Sequence, residues 1–259
     1  MGMQRTALIT GGASGIGLTT AVRLRDEGYD VVIADLHPRA PEIAAEAGVT
    51  AQALDVTSLQ DWQRLGSALD AAGHELGALV LNAGIAGGGT DLGKLDLERY
   101  HRLMQVNVDG VVYGLRTMLP RLSRPGAITV TASLAALMGV PADPVYAMTK
   151  HAVVGLVRSV APDLAAEGVR VHALCPGFVE TPLLGTAHQQ LKEAAFPLLT
   201  TDEVAAAIAD LVTGRSSALV TVLQPGRAPV DYAFAGVPGP RMLDGSKPPA
   251  VPAGLHLGE

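Results

Sequence analysis

The apolar run Thr6–Thr10 ends in Thr10-Gly11-Gly12-Ala13-Ser14-Gly15-Ile16-Gly17 and passes straight into a helix-forming segment. This junction constrains the fold more than any other feature of the chain. Glycines at 11, 15 and 17 allow a tight turn and a close backbone approach to a ligand. Backbone N–H groups and the helix dipole then favour a pyrophosphate, with Gly11, Ser14, Gly15, Ile16 and Gly17 around it. A phosphate-binding loop of the Walker A type is excluded, because Leu18 stands where lysine has to follow Gly17. Asp35 closes the next strand candidate, 18 residues after Gly17. Taken alone it reads equally as a turn or capping aspartate. In the order strand, glycine loop, helix, strand, acid, it can accept hydrogen bonds from an adenosine ribose.

The rest of the chain repeats this alternation. Strands are expected at Thr6–Thr10, Asp30–Ala34, Thr50–Leu54, Ala78–Asn82, Ala127–Thr131, Arg170–Leu174 and Leu219–Leu223, several apolar on both faces. Helices are expected near 15–28, 39–47, 58–73, 96–122, 144–167 and 202–213, with Asp96 and Thr201 or Asp202 as N-caps and Gly168 as a C-terminal stop. Seven strands with helical crossovers give an α/β fold, a doubly wound parallel sheet with helices on both faces, in one domain over residues 1–224. Residues 178–200 form an insert after a strand's carboxyl end, the natural place for a substrate lid. Residues 225–259 hold seven prolines and six glycines, which predicts an extended, irregular tail. Two aromatic residues in it, Tyr232 and Phe234, predict that 228–240 is anchored on the body or on a neighbouring copy.

Composition removes several classes of function. Hydrophobic residues make up 48% and charged ones 17%, enough apolar surface to offset chain entropy. The net charge of −6 argues against nucleic acid or anionic lipid as a partner. No segment reads as an export signal or membrane span, and the single cysteine, Cys175, suits a reducing compartment, so a cytoplasmic protein is expected. The histidines at 37, 74, 101, 151, 172, 188 and 256 show no metal-ligand spacing, and no metal is expected.

Tyr146 and Lys150 are spaced i, i+4 near the start of a helix and share one face. Alone, that spacing equally describes an exposed helix pair. A close ammonium lowers a phenol's pKa by roughly 1–3 units, which would let Tyr146 act as acid or base nearer neutrality. Ser133 lies 13 residues earlier, just past a strand end, where such a sheet binds ligands. Asn82 ends the preceding strand, and Asn107 sits within a helix, where asparagine is disfavoured.

Together these marks resemble the classical short-chain dehydrogenase/reductase family. The matching residues are Thr10-Gly11-x-x-x-Gly15-x-Gly17, Asp55-Val56, Asn82-Ala83-Gly84, Asn107, Ser133, Tyr146-x-x-x-Lys150 and Pro176-Gly177 with Thr181, in family order over roughly residues 5 to 224. The resemblance implies a single-domain Rossmann-like fold and an oxidoreductase interconverting a secondary alcohol and a ketone. It implies that Asp55 and Val56 border the adenine and that Asn82, Ala83 and Gly84 line the cofactor floor. Thr181 and the backbone at Val179 would touch the nicotinamide carboxamide. Tyr146 would be the acid/base, with Ser133 holding the substrate oxygen. Lys150 would bind the nicotinamide ribose and lower the Tyr146 pKa, and Asn107 would hold a water in a proton relay. A homo-oligomer, tetramer or dimer, is expected.

Ile85, Ala135, Val140, Phe178, Leu183 and Leu184 are candidate pocket residues, and their apolar character favours a hydrophobic small molecule. Asp35 favours NAD, with an NADP-dependent reductase as the alternative. The basic residue that reading needs beside the glycine loop or after the second strand is replaced by Ser14 and Leu36. A non-catalytic cofactor-binding scaffold is disfavoured because Ser133, Tyr146 and Lys150 are all present. Two departures stand out. The last strand is flanked by Arg215-Ser216-Ser217-Ala218 and Gln224-Pro225-Gly226-Arg227, without the family's usual glycines and aspartate. Pro162 falls inside a helix, where it removes a hydrogen bond and invites a kink.

Overall fold

The structure, a computed structural model, describes residues 5–244 and 246–249. His256 and the end of the tail lie outside the described residues. The elements alternate as the apolar pattern requires: β1 (Thr6–Thr10), α1 (Gly15–Asp26), β2 (Asp30–Asp35), α2 (Ala40–Glu46), β3 (Thr50–Ala53), α3 (Leu59–Ala71) and β4 (Leu76–Leu81). Then follow α4 (Leu97–Met104), α5 (Gly110–Met118), β5 (Leu122–Thr131), α6 (Pro144–Ala166), β6 (Val169–Pro176), α7 (Ala187–Glu193), α8 (Thr201–Thr213), β7 (Val220–Leu223) and β8 (Val230–Asp231).

All strands but the last run parallel, in the order β3-β2-β1-β4-β5-β6-β7-β8. The order reverses between β1 and β4, so the crevice at their carboxyl ends is the place where such a sheet binds ligands. One face buries Trp62, Leu65 and Leu69 of α3, Leu115 and Met118 of α5, and Val153 and Val157 of α6. The other buries Ala21 and Leu24 of α1 against Val204, Ile208 and Leu211 of α8. This double burial explains strands such as β1 and β4, in which every residue is buried.

Four expectations need correction. The sheet has eight strands, not seven, because Val230–Asp231 in the tail pairs antiparallel with β7. That pairing covers an edge whose N–H and C=O groups would otherwise lie open. The tail is therefore not wholly irregular: Phe234 packs against the core and stacks 3.7 Å under the Arg158 guanidinium. The segment 96–122 is not one uniform α-helix, since a π-turn over Gln105–Asp109 separates α4 from α5 and a 3₁₀ turn follows at Leu119–Arg121. The N-cap of α8 is Thr200, whose hydroxyl accepts from Glu203 N while the Glu203 carboxylate accepts from Thr200 N. Asp96 does cap α4, and Gly168, with φ of +82°, follows the end of α6. That helix runs on through Pro162 to Ala166.

Candidate active site

The glycine loop is a cradle that side chains would fill. A Cβ at Gly17 would lie 2.1 Å from the Gly11 carbonyl oxygen, and one at Gly11, where φ is +64°, would lie 3.0 Å from Ala83 Cα. Gly15 takes φ of +48° and faces Thr181 across 3.3 Å of would-be Cβ contact. Ser14 is the N-cap of α1 but makes no side-chain capping bond. The first-turn N–H groups of α1, Ile16 and Gly17 among them, therefore point into this cradle without an intrahelical partner. Such a cradle fits the pyrophosphate of a dinucleotide.

Asp35 stands between the loop and the start of α2. Its two oxygens accept from Ala13 N and His37 N, each at 2.9 Å, which aims the carboxylate along the wall of the crevice. Asp55 Oδ1 accepts from the Thr57 N–H and hydroxyl, forming a turn that presents Val56. The Val56 carbonyl accepts from the indole of Trp62, a buried helix residue as its sequence position predicts. Asn82 braces the crevice floor, donating to the carbonyls of Thr10 (3.1 Å) and Gly11 (3.4 Å). The Thr10 hydroxyl in turn accepts from Asn82 N and Ala83 N. Gly84 lies beside Asn107 Oδ1 and Lys150 Nζ.

β5 delivers Ser133 and α6 delivers Tyr146 and Lys150 to the same end of the sheet. The Ser133 side chain hydrogen-bonds that of Tyr146, and its Oγ also accepts from Ala135 N. Lys150 is buried, donates to the Thr131 carbonyl at 2.9 Å, and lies 5.6 Å from the centroid of the Tyr146 ring. Asn107, in the π-turn, is 1% exposed. Its amide donates to Ile85 O and Thr149 Oγ1 and its Oδ1 accepts from Ile85 N, so the backbone at Ile85 is gripped on both sides.

The protonation balance corrects one expectation. Burial pushes the Tyr146 phenol up, and Asp143 and Cys175 push the same way, while only the Ser133 hydrogen bond opposes them. Lys150 does not reverse this. Burial lowers its own pKa to about 8, and its ammonium is engaged by a carbonyl. Cys175 is fully buried, and burial raises its thiol to about 11 although the Ser133 backbone N–H reaches its sulfur. It is a neutral filler beneath the site at ordinary pH.

Pro176, the last residue of β6, is buried, and Gly177 after it hugs the end of β7, where a Cβ would meet Gln224 Oε1 at 2.4 Å. The insert 178–200 is pinned at its base by Leu199 N to Phe178 O and Glu180 N to Leu199 O, and it contains α7. Val179 is buried, and its carbonyl accepts from the Thr181 hydroxyl at 3.3 Å. Among the pocket candidates Ala135 is buried, and Ile85, Val140 and Leu184 are half-buried. Phe178 and Leu183 are exposed, with Phe178 edge-to-face against the exposed Phe196. Met138, on the loop after β5, is a further exposed apolar side chain at this end of the sheet.

Sequence reasoning missed Asp143, whose carboxylate caps α6 by accepting from Tyr146 N at 3.1 Å. The dipeptide Asp143-Pro144 carried that signal, an N-cap followed by a first-turn proline. Among the described residues no three His, Cys, Asp or Glu side chains gather as metal donors, and no helix is long and apolar enough to cross a membrane.

A family model described as short chain dehydrogenase matches residues 5–192. The 2,5-dichloro-2,5-cyclohexadiene-1,4-diol dehydrogenase of Sphingobium indicum is 38% identical over 190 residues, covering 71% of this chain and 76% of its own. The cyclohexanol dehydrogenase of an Acinetobacter species is 32% identical over 227 residues, covering 83% and 90%. Among solved structures, a 3-ketoacyl-(acyl-carrier-protein) reductase from Brucella melitensis complexed with NADH superposes with a TM-score of 0.77. It is 31% identical, and the match covers 85% of this chain and 96% of that one.

Proposed function

The chain belongs to the short-chain dehydrogenase family and is an oxidoreductase of CH–OH groups, and from that premise we propose that it is an NAD-dependent dehydrogenase of hydrophobic secondary alcohols with Tyr146 as acid/base. The observation that carries this reading is the convergence of Ser133, Tyr146 and buried Lys150 at the carboxyl end of the sheet, beside the glycine cradle.

A nicotinamide held in this crevice would supply the hydride chemistry. The residues supply position and proton transfer. Ser133 donates a hydrogen bond to the substrate oxygen and stabilises the negative charge that develops there. Tyr146 takes the hydroxyl proton in oxidation and returns it in reduction. Lys150 holds positive charge near that transfer and binds the ribose. Asn107 secures Ile85 and Thr149 behind the lysine and holds the relay water. Thr181, opposite Gly15, meets the carboxamide together with the Val179 backbone. Asp55 and Val56 border the adenine.

NAD is favoured over NADP because the Asp35 carboxylate would face a 2′-phosphate as a like charge. Leu36 is exposed and neutral, and the next arginine along the chain, Arg39, is already paired with Glu42 at 2.8 Å. The substrate preference rests on the exposed apolar residues Met138, Phe178, Leu183 and Phe196 on loops at this end of the sheet. Two of the relatives named above are dehydrogenases of cyclic alcohols by name. A panel of cyclic and linear secondary alcohols and ketones, followed by NADH absorbance, tests the reading. Turnover confined to primary alcohols, or none across the panel, would sink it.

A further inference from the structure

The segment after β4, Ile85 to Gly89, carries a pocket candidate and runs beside the first turn of α6. It is held by two side chains of opposite charge. Arg99, on α4, donates to the carbonyls of Ala86 and Gly87. Asp143, at the N-cap of α6, accepts from the next donors along the same stretch: Gly87 N at 2.7 Å on Oδ2 and Gly88 N at 3.1 Å on Oδ1. The same Oδ1 accepts from Tyr146 N at 3.1 Å. Three backbone N–H groups thus meet one carboxylate, which a neutral side chain has too few lone pairs in the right places to reproduce. Gly88 is buried at this seam, where a Cβ would lie 2.8 Å from Val145 Cβ and 2.9 Å from Asp143 Oδ1. For an N-cap alone, a single serine or asparagine oxygen suffices. The second oxygen of Asp143 is spent on the loop.

We propose that Asp143 and Arg99 are a pair of positioning residues: they lock Ala86–Gly88 against the start of α6, which sets the pocket wall beside Tyr146 before substrate arrives, and the Asp143 carboxylate sets the charge under which Tyr146 gives up its proton. The second half of this inference rests on Tyr146 being the acid/base. The groups facing Tyr146 are Asp143 and Lys150 on its own helix, Ser133 from the end of β5, and Cys175 from β6. Of these, Asp143 is the one carboxylate, and negative charge there disfavours the phenolate.

The sign follows directly. Alcohol oxidation needs the phenolate, so kcat/KM rises with pH as Tyr146 loses its proton. Asp143→Asn keeps one acceptor oxygen for the cap and removes the charge. Its rising limb should move to lower pH, because the negative charge that disfavours the phenolate is gone. Its KM for the best alcohol of the panel should rise about threefold or more, since the loop loses one of its anchors. Arg99→Met should raise KM similarly without moving the limb to lower pH, because it frees the loop but removes no negative charge. A merely structural role for Asp143 would lower the melting temperature and leave the limb in place. An Asp143→Asn enzyme with wild-type limb and KM, alongside a Tyr146→Phe enzyme that is inactive, overturns the proposal while leaving the base intact. If Tyr146→Phe still turns over, the base assignment fails, and with it the charge role of Asp143. Should Asp143→Asn not fold, an unchanged KM in Arg99→Met overturns the clamp.

Discussion

A lysine with its ammonium against a strand-end carbonyl and no carboxylate beside it is held there at a cost in stability, and that cost is measurable. Burial lowers Lys150 from 10.5 to about 8. Between those values the unfolded chain binds the extra proton and the folded one does not, so stability rises with pH across that window. Relative to Lys150→Met, the cofactor-free wild type should therefore gain on the order of 3 kcal/mol between pH 8 and 10.5, read from denaturant titrations at fixed pH. Cys175 works in the opposite sense between about 9 and 11, since its raised pKa makes the folded thiol hold a proton that the unfolded one loses. The Lys150 charge also lowers that thiol's pKa, so the two titrations are coupled and the comparison is made in a Cys175→Ala background; a flat difference there would mean that the ammonium is better solvated than its burial implies. Tyr146→Phe should keep fold and cofactor binding and lose about 10²–10⁴-fold in turnover. Asp35 should give NAD at least a tenfold advantage over NADP in kcat/KM, about 1.4 kcal/mol, and Asp35→Ala with Leu36→Arg should reverse its direction. Equal performance with NADP in the wild type would show that the carboxylate does not meet the ribose. These residues were legible because glycines, Tyr-x-x-x-Lys and a strand-end acid each carry a chemical reason for their spacing. The direction of the Tyr146 shift was not legible, because it depends on how deeply the phenol is buried, on Cys175, which no spacing rule brings to it, and on Asp143, whose N-cap signal went unread.

At the scale of elements, the first seven strands were read in place but not to their full length: β4 begins two residues and β5 five residues before the expected starts, since apolar runs fix a strand's centre more firmly than its ends. The stretch 96–122 was not, and the reason is local. An uninterrupted α-helix keeps its 3.6-residue period, whereas the π-turn over Gln105–Asp109 inserts a residue's worth of rotation. Nothing in the apolar pattern announces that turn. What sustains it is Asn107, whose amide satisfies both the N–H and the C=O of Ile85. The π-turn and the loop after β4 are thus one unit, which ties the helix layer to the wall of the site. Asn107→Ala should leave both Ile85 groups without these partners and destabilise the protein by about 2 kcal/mol or more, with a loss of activity. Calorimetry with the variant would test this, and a melting temperature within a degree of wild type would show that solvent replaces the amide.

For the whole molecule, the sequence made the doubly wound body plain and left its far edge open. Residues 225–259 were read as extended because proline and glycine dominate them, yet Tyr232 and Phe234 predicted an anchor. The structure supplies one on the body itself. Val230–Asp231 adds a strand to β7, Tyr232 stacks edge-to-face on Phe234, and Phe234 lies between Arg158 of α6 and the core. Composition could not show this, because two paired residues and one half-buried ring are too little signal against so many breakers. The anchor ties the last strand to the helix that carries Tyr146 and Lys150, through side chains remote in sequence. Phe234 is half-buried, so its burial is worth about half the 1.5–3 kcal/mol of a fully buried ring, and the cation over its face adds about 0.5–1. Phe234→Ala should therefore lower the melting temperature by roughly 3–10 °C, at about 2–4 °C per kcal/mol for a chain of this size. Truncation after Gly226 should lower it at least as far, because it also uncovers the edge of β7. Mass measured in solution separates two roles for the tail. A destabilised variant of unchanged mass places the anchor within one chain. A change of mass in the truncated protein, with Phe234→Ala keeping the wild-type mass, assigns the remainder of the tail to contact with a second copy. A truncated protein with the melting temperature, mass and activity of wild type would show that neither β8 nor Phe234 supports the fold.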